Sequence, residues 1–318
     1  MTLEVIAAKV DAGERLTEGD REALVSTSDI ITLGMLADEV RRRRHGDRVT
    51  FLRVAHVRLA DSAGADRFLT SAGEIRLDGM PESIDAAAAA VRAVAARAGG
   101  TLVSGFSLAQ LEHLRRAAGV SLDVCFGRLR DSGLEQLADV SLDGPFEFET
   151  GLEVAAKMGL GTRRVTFEHA SDDWLQRLQR LVGVQDALRS IRSLSPLPSR
   201  VNPAAPTTGY EDLKRVSIAR LVVSNIDTIQ VDWSLYGPKL AQVALTFGAD
   251  DIDNVPDAES IALGPRRATL AEVRRNITAA SLVPVERNGR WEFVSNPESR
   301  LSTSLAPPEP AEGRTPSP

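Results

Sequence analysis

The 318-residue chain carries 44 acidic against 38 basic side chains, a net charge of −6, and this balance argues against nucleic acid or an anionic membrane surface as its main partner. Hydrophobic residues make up 43% and aromatics only 4%, so a sizeable core has to be built from Leu, Val, Ile and Ala, and no apolar run reaches the 18 or so residues needed for a membrane span. The one cysteine, Cys125, excludes an intramolecular disulfide, and Met1-Thr2-Leu3-Glu4-Val5 lacks the layout of a signal peptide; the expectation is a soluble cytoplasmic protein.

In chain order, residues 1–48 read as a helical segment. Ile6 and Val10 open an apolar-spaced stretch that Gly13 ends, and Thr17 offers a hydroxyl cap to a second helix. A third runs from about Ser28 to Arg44, its last turn Arg41-Arg42-Arg43-Arg44-His45 followed by Gly46. Cations there oppose the partial negative charge of the terminal carbonyls; phosphate binding is the alternative reading of the four arginines. From Val49 strand-like and helix-like stretches alternate. Strands are expected at 49–52, 101–103, 164–167 and 226–231. Helices are expected after Ser83, after the capping box Ser107-Leu108-Ala109-Gln110, and over about 121–132, 149–159, 171–189 and 209–224. Such alternation points to a parallel sheet covered by helices. The stretch 49–236 is shorter than the roughly 250 residues of a typical eight-stranded barrel, so an α/β fold with a trimmed or incomplete TIM-type (β/α) barrel is expected, with helical N- and C-terminal extensions. The segment 237–301 reads as helical with a β-hairpin, Asn288-Gly289 suiting a type I′ turn, and 302–318 as a Pro-rich disordered tail.

Several stretches resemble the radical S-adenosylmethionine family of aminofutalosine synthase and cyclic dehypoxanthine futalosine synthase, enzymes of menaquinone biosynthesis. They are Lys9 to Thr17, Leu36 to Val40, Arg44 to Phe51, Tyr210 to Lys214, Ile218 to Leu221, Gly237 to Leu245, Phe247 to Asp253 and Val283 to Arg287. Both ends of the chain match well and the middle poorly. The resemblance implies a (β/α) barrel whose first loop carries CxxxCxxC, three thiolates that hold a four-iron cluster and leave one iron open for S-adenosylmethionine. With Phe51, Arg53 and His56 as anchors, those cysteine positions fall on Ala63, Arg67 and Thr70, none of which supplies the soft ligand that iron–sulfur chemistry requires. The glycine-rich turn after the family's next strand is missing too, along with about one βα unit of roughly 30 residues, and the glycine-histidine turn is absent near Phe167-Glu168-His169-Ala170. No iron–sulfur cluster is expected, S-adenosylmethionine binding is called into question, and the four histidines show no metal-ligand spacing.

The candidate ligand or partner residues are His56, at the end of the first strand where barrels place ligand contacts; the adjacent Glu168 and His169, which on a strand point to opposite faces; and Gln242, Asp250 and Asp251 in the best-retained motif. Packing or solvation is the competing reading for each. The resemblance with its lost cluster implies a catalytically inactive relative of aminofutalosine synthase, acting as a partner or stabilising subunit. Such a protein would form a hetero-oligomer with a cluster-bearing paralogue or another menaquinone-pathway enzyme. The alternative is a nucleoside-like small-molecule binding module without radical chemistry.

Overall fold

The computed structural model describes residues 2–294 apart from 64–70, 163, 170–171, 201–202, 205 and 258–269. Three helices come first. α1 (Leu3–Asp11) buries Ile6. α2 (Glu18–Ser26) starts on Thr17, which forms a reciprocal capping box with Asp20, a device that stabilises a helix start by ~1 kcal/mol. α3 (Ile30–His45) starts on Asp29 and ends at Gly46, whose φ of 61° suits glycine. The arginine turn is spent internally: Arg41 and Arg42 pair with Asp38, Arg43 with Asp11 and Glu39, and Arg44 donates to the carbonyls of Ser224 and Ile226.

The remaining elements alternate. They are β1 (Arg48–Arg58), β2 (Glu74–Asp78), α4 (Ile84–Ala95), β3 (Leu102–Ser107), α5 (Leu108–Ala118), α6 (Leu122–Asp131), β4 (Gln136–Ser141), α7 (Phe148–Met158), the short β5 (Gly161–Thr162), β6 (Val165–Phe167), α8 (Trp174–Leu188), β7 (Ser193–Pro198), α9 (Gly209–Val222), β8 (Thr228–Asp232), α10 (Trp233–Ala244), β9 (Asp251–Pro256), α11 (Leu270–Ala279) and β10 (Val283–Arg287). Strands β1, β2, β3, β4, β6, β7, β8 and β9 pair in that order, all parallel, and β9 pairs back onto β1. The ring is a closed TIM-type (β/α) barrel of eight strands. β5 adds to β4 and β10 adds parallel to β1, both outside the ring.

Closure corrects the expectation of an incomplete barrel and of a lost βα unit. The eighth strand, β9, lies beyond residue 236, and β2 hides in Glu74-Ile75-Arg76-Leu77-Asp78, whose charges mask its β character. Between β1 and β2 the described residues hold one 3-10 turn, Leu59–Asp61. Closure needs every ladder of the ring paired, and each one is. The expected hairpin is present in short form: an antiparallel bridge joins Arg287 to Phe293, the Asn288 N–H donates to the Glu292 carbonyl and the Val294 N–H to the Glu286 carbonyl. Its turn is not type I′, because neither Asn288 nor Gly289 has positive φ; the chain reverses over 288–291 while the Gly289 N–H donates to the Gly73 carbonyl at 2.8 Å. The disordered tail expected at 302–318 lies outside the described residues.

Side chains on the ring alternate with period two. Ile75, Leu77, Val103, Ile229, Val231 and Ile252 join the buried apolar layer with Ala87, Val91 and Val94 of α4. The intervening residues are polar: Glu74, Arg76, Ser104, Thr166, Gln230, Asp232, Asp251 and Asp253 are all buried. Arg76 on β2 reaches Asn254 on β9 at 3.3 Å, and Arg164 beside β6 reaches Asp253 at 3.3 Å. Neither pair of strands is adjacent, so these bonds cross the lumen. TIM barrels are usually filled by branched aliphatic layers; this one has a polar, ionic lumen. Among the described residues no helix is long and apolar enough to cross a membrane.

Candidate functional site

The carboxyl ends of the strands carry a connected polar network. The imidazole of His56 on β1 lies between Asp78 Oδ2 of β2 on its Nδ1 side and Asn254 Oδ1 of β9 on its Nε2 side, each 2.6 Å away. Asn254 Nδ2 donates to both oxygens of Asp232 at 3.2 and 3.0 Å, and Arg164 donates to Asp232 at 3.2 Å. Arg76 ties the same amide to buried Glu74 at 3.1 Å, and Ser104 donates to that carboxylate. Glu74 and Asp253 are fully buried, and guanidinium groups and hydroxyls stand in for the water that burial removes.

Above this network opens a cavity of about 460 Å³, bordered by His56, Asp78, Arg164, Asp232, Ser234 and Asn254. A neighbouring cleft of about 610 Å³ runs sideways over the start of α5, past Leu108, Ala109, Pro145, Phe146 and Glu168. Ser107, Gln110, Asp139 and Ser199 border both. Two non-glycine residues at the axial cavity have positive φ: Phe106 at 59° and Asn254 at 60°. Asn tolerates this region, but for a bulky aromatic it is a true outlier. Such strain persists where surrounding contacts impose it, and it clusters at functional sites.

The candidate residues separate. His56 borders the axial cavity and Glu168 the side cleft, where it pairs with Arg200 at 2.8 Å. His169 is exposed and borders neither; its backbone N–H and that of Glu168 both donate to Asp143. Gln242 is half-buried on α10, away from both cavities. Asp250 and Asp251 lie at the opposite end of the barrel. Asp250 accepts from the fully buried Arg220 and from the Ile229 N–H. Asp251 accepts two bonds of 2.7 Å from Arg287 and one of 2.8 Å from Gln230, and Trp291 covers the Arg287 guanidinium at 3.7 Å. Both carboxylates work as internal ties.

Arg76, Asp78, Arg164, Asp232 and Asn254 escape a sequence reading. Their signal is the strict alternation of charge with aliphatic residues in Glu74–Asp78, and the Asp251, Asp253 spacing that puts both on one face. Of the three degenerate cluster positions, Ala63 is exposed just past the 3-10 turn, while Arg67 and Thr70 lie outside the described residues. Cys125 is buried on α6 in the outer helical layer, and burial pushes its thiol up to about 11. It is no thiolate for the barrel mouth.

The profile described as "CofH/MqnC C-terminal region" matches residues 195–300, from β7 through β10. The aminodeoxyfutalosine synthase of Thermus thermophilus is 26% identical, with 91% of this chain and 95% of that protein covered. That of Streptomyces coelicolor is also 26% identical, covering 98% and 96%. The cyclic dehypoxanthine futalosine synthase of Streptomyces coelicolor is 22% identical over 61% of this chain and 55% of its own length. The Streptomyces coelicolor aminodeoxyfutalosine synthase alignment runs over 386 residues, longer than this 318-residue chain. The relative therefore carries internal segments that this chain lacks. Among solved structures, methylornithine synthase superposes with a TM-score of 0.64 at 14% identity over 94% of this chain and all of that one, and the hydrogenase maturase HydG with 0.61 at 10% identity, covering 88% and 75%. These two likenesses concern the fold.

Proposed function

As a relative of the aminofutalosine and cyclic dehypoxanthine futalosine synthases of the radical S-adenosylmethionine group, this protein has their barrel, and we propose that it uses it to bind a small polar molecule without radical chemistry. The observation that carries this reading is the His56–Asn254–Asp232–Arg164 network beneath a cavity of about 460 Å³. A barrel retained only as scaffold has no need of a charged lumen, because apolar filling is more stable than buried ion pairs. A four-iron cluster does not fit: the chain has one cysteine, it is buried in α6, and Ala63, Arg67 and Thr70 offer no thiolate. No step through a cluster follows.

The test is calorimetric titration of the full chain with S-adenosylmethionine, aminodeoxyfutalosine and chorismate-derived acids. Saturable binding that Asp232→Asn weakens at least tenfold supports the reading; flat titrations for all of them sink it.

A second reading, association with a cluster-bearing relative, has its own observation. Ile31 and Met35, one turn apart on α3, are 64% and 67% exposed, while Gly34 between them lies so close to the Phe247 ring that a Cβ would sit 2.6 Å from it. Co-expression with the host's cluster-bearing synthase, followed by size-exclusion chromatography with light scattering, decides it. A stoichiometric complex lost in Met35→Asp supports it, and two separate peaks remove it.

A further inference from the structure

We infer that His56 is a positioning residue that carries a proton on both ring nitrogens. It donates to Asp78 on one side and to Asn254 on the other, and so fixes the Asn254 amide against Asp232. The arrangement belongs to the chain itself, whatever the cavity binds.

The Asn254 amide is oriented by groups other than the histidine. Its Nδ2 lies 3.2 and 3.0 Å from the two Asp232 oxygens, and Arg76 donates to its Oδ1 at 3.3 Å. Turning the amide over would set its oxygen against a carboxylate and its N–H groups against a guanidinium. Oδ1 therefore meets His56 Nε2, 2.6 Å away, as an acceptor, and Nε2 has to carry a hydrogen. On the other side Asp78 Oδ2 stands 2.6 Å from Nδ1. An ionised carboxylate only accepts, so Nδ1 carries a hydrogen as well. Either neutral tautomer would press a lone pair against an oxygen at one of these two contacts.

The charge around the ring favours the second proton. Among the described residues, the cavity and the layer directly beneath it hold five carboxylates, Glu74, Asp78, Asp139, Asp232 and Asp253, against two guanidinium groups, Arg76 and Arg164. Arg58, two residues along β1, is turned to Asp61 in an exposed pair. Arg76 and Arg164 oppose a further cation, but the carboxylates outnumber them and one touches the ring, and a close opposite charge favours the charged form of a titratable group. The His56 side chain is also half-exposed, so an imidazolium there keeps water on one side and little desolvation works against it.

With both N–H groups engaged, the ring has no lone pair to offer. His56 neither takes a proton from a solute nor ligates a metal ion, although it sits at the strand end where barrels place such groups. Its contribution passes through Asn254: with Oδ1 held by His56 and Arg76, the amide presents Nδ2 to Asp232 and keeps that carboxylate on the cavity wall.

The experiment is ring-nitrogen NMR of the full chain, labelled with nitrogen-15 histidine, at pH 7.5, where an ordinary imidazole is about nine-tenths neutral. Among the four histidines, His56 is identified by the signals lost in His56→Gln. Both of its nitrogens are expected at the imidazolium position in the wild-type chain. In Asp78→Asn the ring is expected to be neutral with its hydrogen on Nε2, because Asn254 still requires a donor there. Acylation by diethyl pyrocarbonate, which needs an unprotonated ring nitrogen, gives a second readout by mass spectrometry. His56 is expected to react roughly fivefold faster in Asp78→Asn than in the wild type, with the exposed His113 unchanged as internal reference. A structural role alone would move stability and leave the proton count of the ring as it was. A neutral His56 in the wild-type chain at pH 7.5, a ring protonated on Nδ1 alone in Asp78→Asn, or equal acylation of the two chains overturns the assignment.

Discussion

The two ends of the barrel are built from the same residue types and do opposite things. At the amino end, Asp251 is held by Arg287, Gln230 and Thr50, with Trp291 laid over the guanidinium, and every group is buried or nearly so. At the carboxyl end, His56, Asp78, Asn254 and Asp232 make an equally connected chain, yet it faces a cavity, and the His56 side chain is 41% exposed. The difference lies in what covers the ring. β10 and the chain after it close the amino end, whereas the connection after β1 contributes only a 3-10 turn among the described residues at the carboxyl end. A buried ion pair that is covered acts as a rivet; a pair that borders a cavity stays within reach of solvent and solutes.

The largest expected effect breaks the rivet. Arg287→Ala leaves the Asp251 carboxylate buried without its cation, and such losses cost roughly 3–5 kcal/mol. Chemical denaturation should show that drop, and a loss below about 1 kcal/mol would mean the amino end is wetter than its geometry indicates. The matching change at the mouth, Asn254→Ala, removes bonds to His56, Asp232 and Arg76 at a half-exposed position. About 1–2 kcal/mol is expected, since each such bond contributes near 1 kcal/mol net, with ligand affinity falling more than stability does. If the mouth variant proves the more destabilising, the comparison fails.

A smaller effect concerns acid. Lys9 and Thr17 hold the Asp20 carboxyl down at about 2 against an ordinary 3.8. A group whose pKa is lower in the folded state contributes its stability fully above about pH 4 and loses it as pH falls toward 2. The tie between α1 and α2 should loosen in that window, read by circular dichroism, and Asp20→Asn should flatten that part of the profile. The smallest effect is chemical. With its thiol raised to about 11 and no exposed surface, Cys125 should resist alkylation at pH 8 until the barrel opens. It then serves as a reporter that reacts sooner in Arg287→Ala than in Asn254→Ala. Prompt labelling of the native wild-type chain would contradict the burial.

Legibility in the sequence followed how local each signal was. The capping box at Ser107 and the caps at Thr17 and Ser83 appear where their spacing puts them, because an N-cap bond spans only three residues. The ring strands β2, β4, β7 and β9 went unread; β7 carries two prolines, which read against a strand, and β2 and β9 alternate charge with aliphatic residues to line a polar lumen, so they resemble a solvated loop in composition. Asn288-Gly289 misled only in the type of turn: the chain does reverse there, but close packing against Gly73 goes with negative φ at both residues, where a type I′ turn needs positive φ. Of the site, His56 and Glu168 were visible as polar residues at strand ends, while Arg76, Arg164 and Asp232 were not, because their partners lie on strands far away in sequence.

The sequence by itself determined the helices, the parallel α/β class, the kinship at both ends and the absence of a three-cysteine cluster motif. These are matters of spacing and residue type within a few turns of chain. Only the tertiary structure decided that the ring closes with eight strands, that Asp251 is a rivet and Asp232 a cavity wall, and that Asn254 joins His56 to both. Ring closure brings residues some two hundred positions apart, such as His56 and Asn254, within 2.6 Å, and the meaning of a buried charge depends on what then covers it.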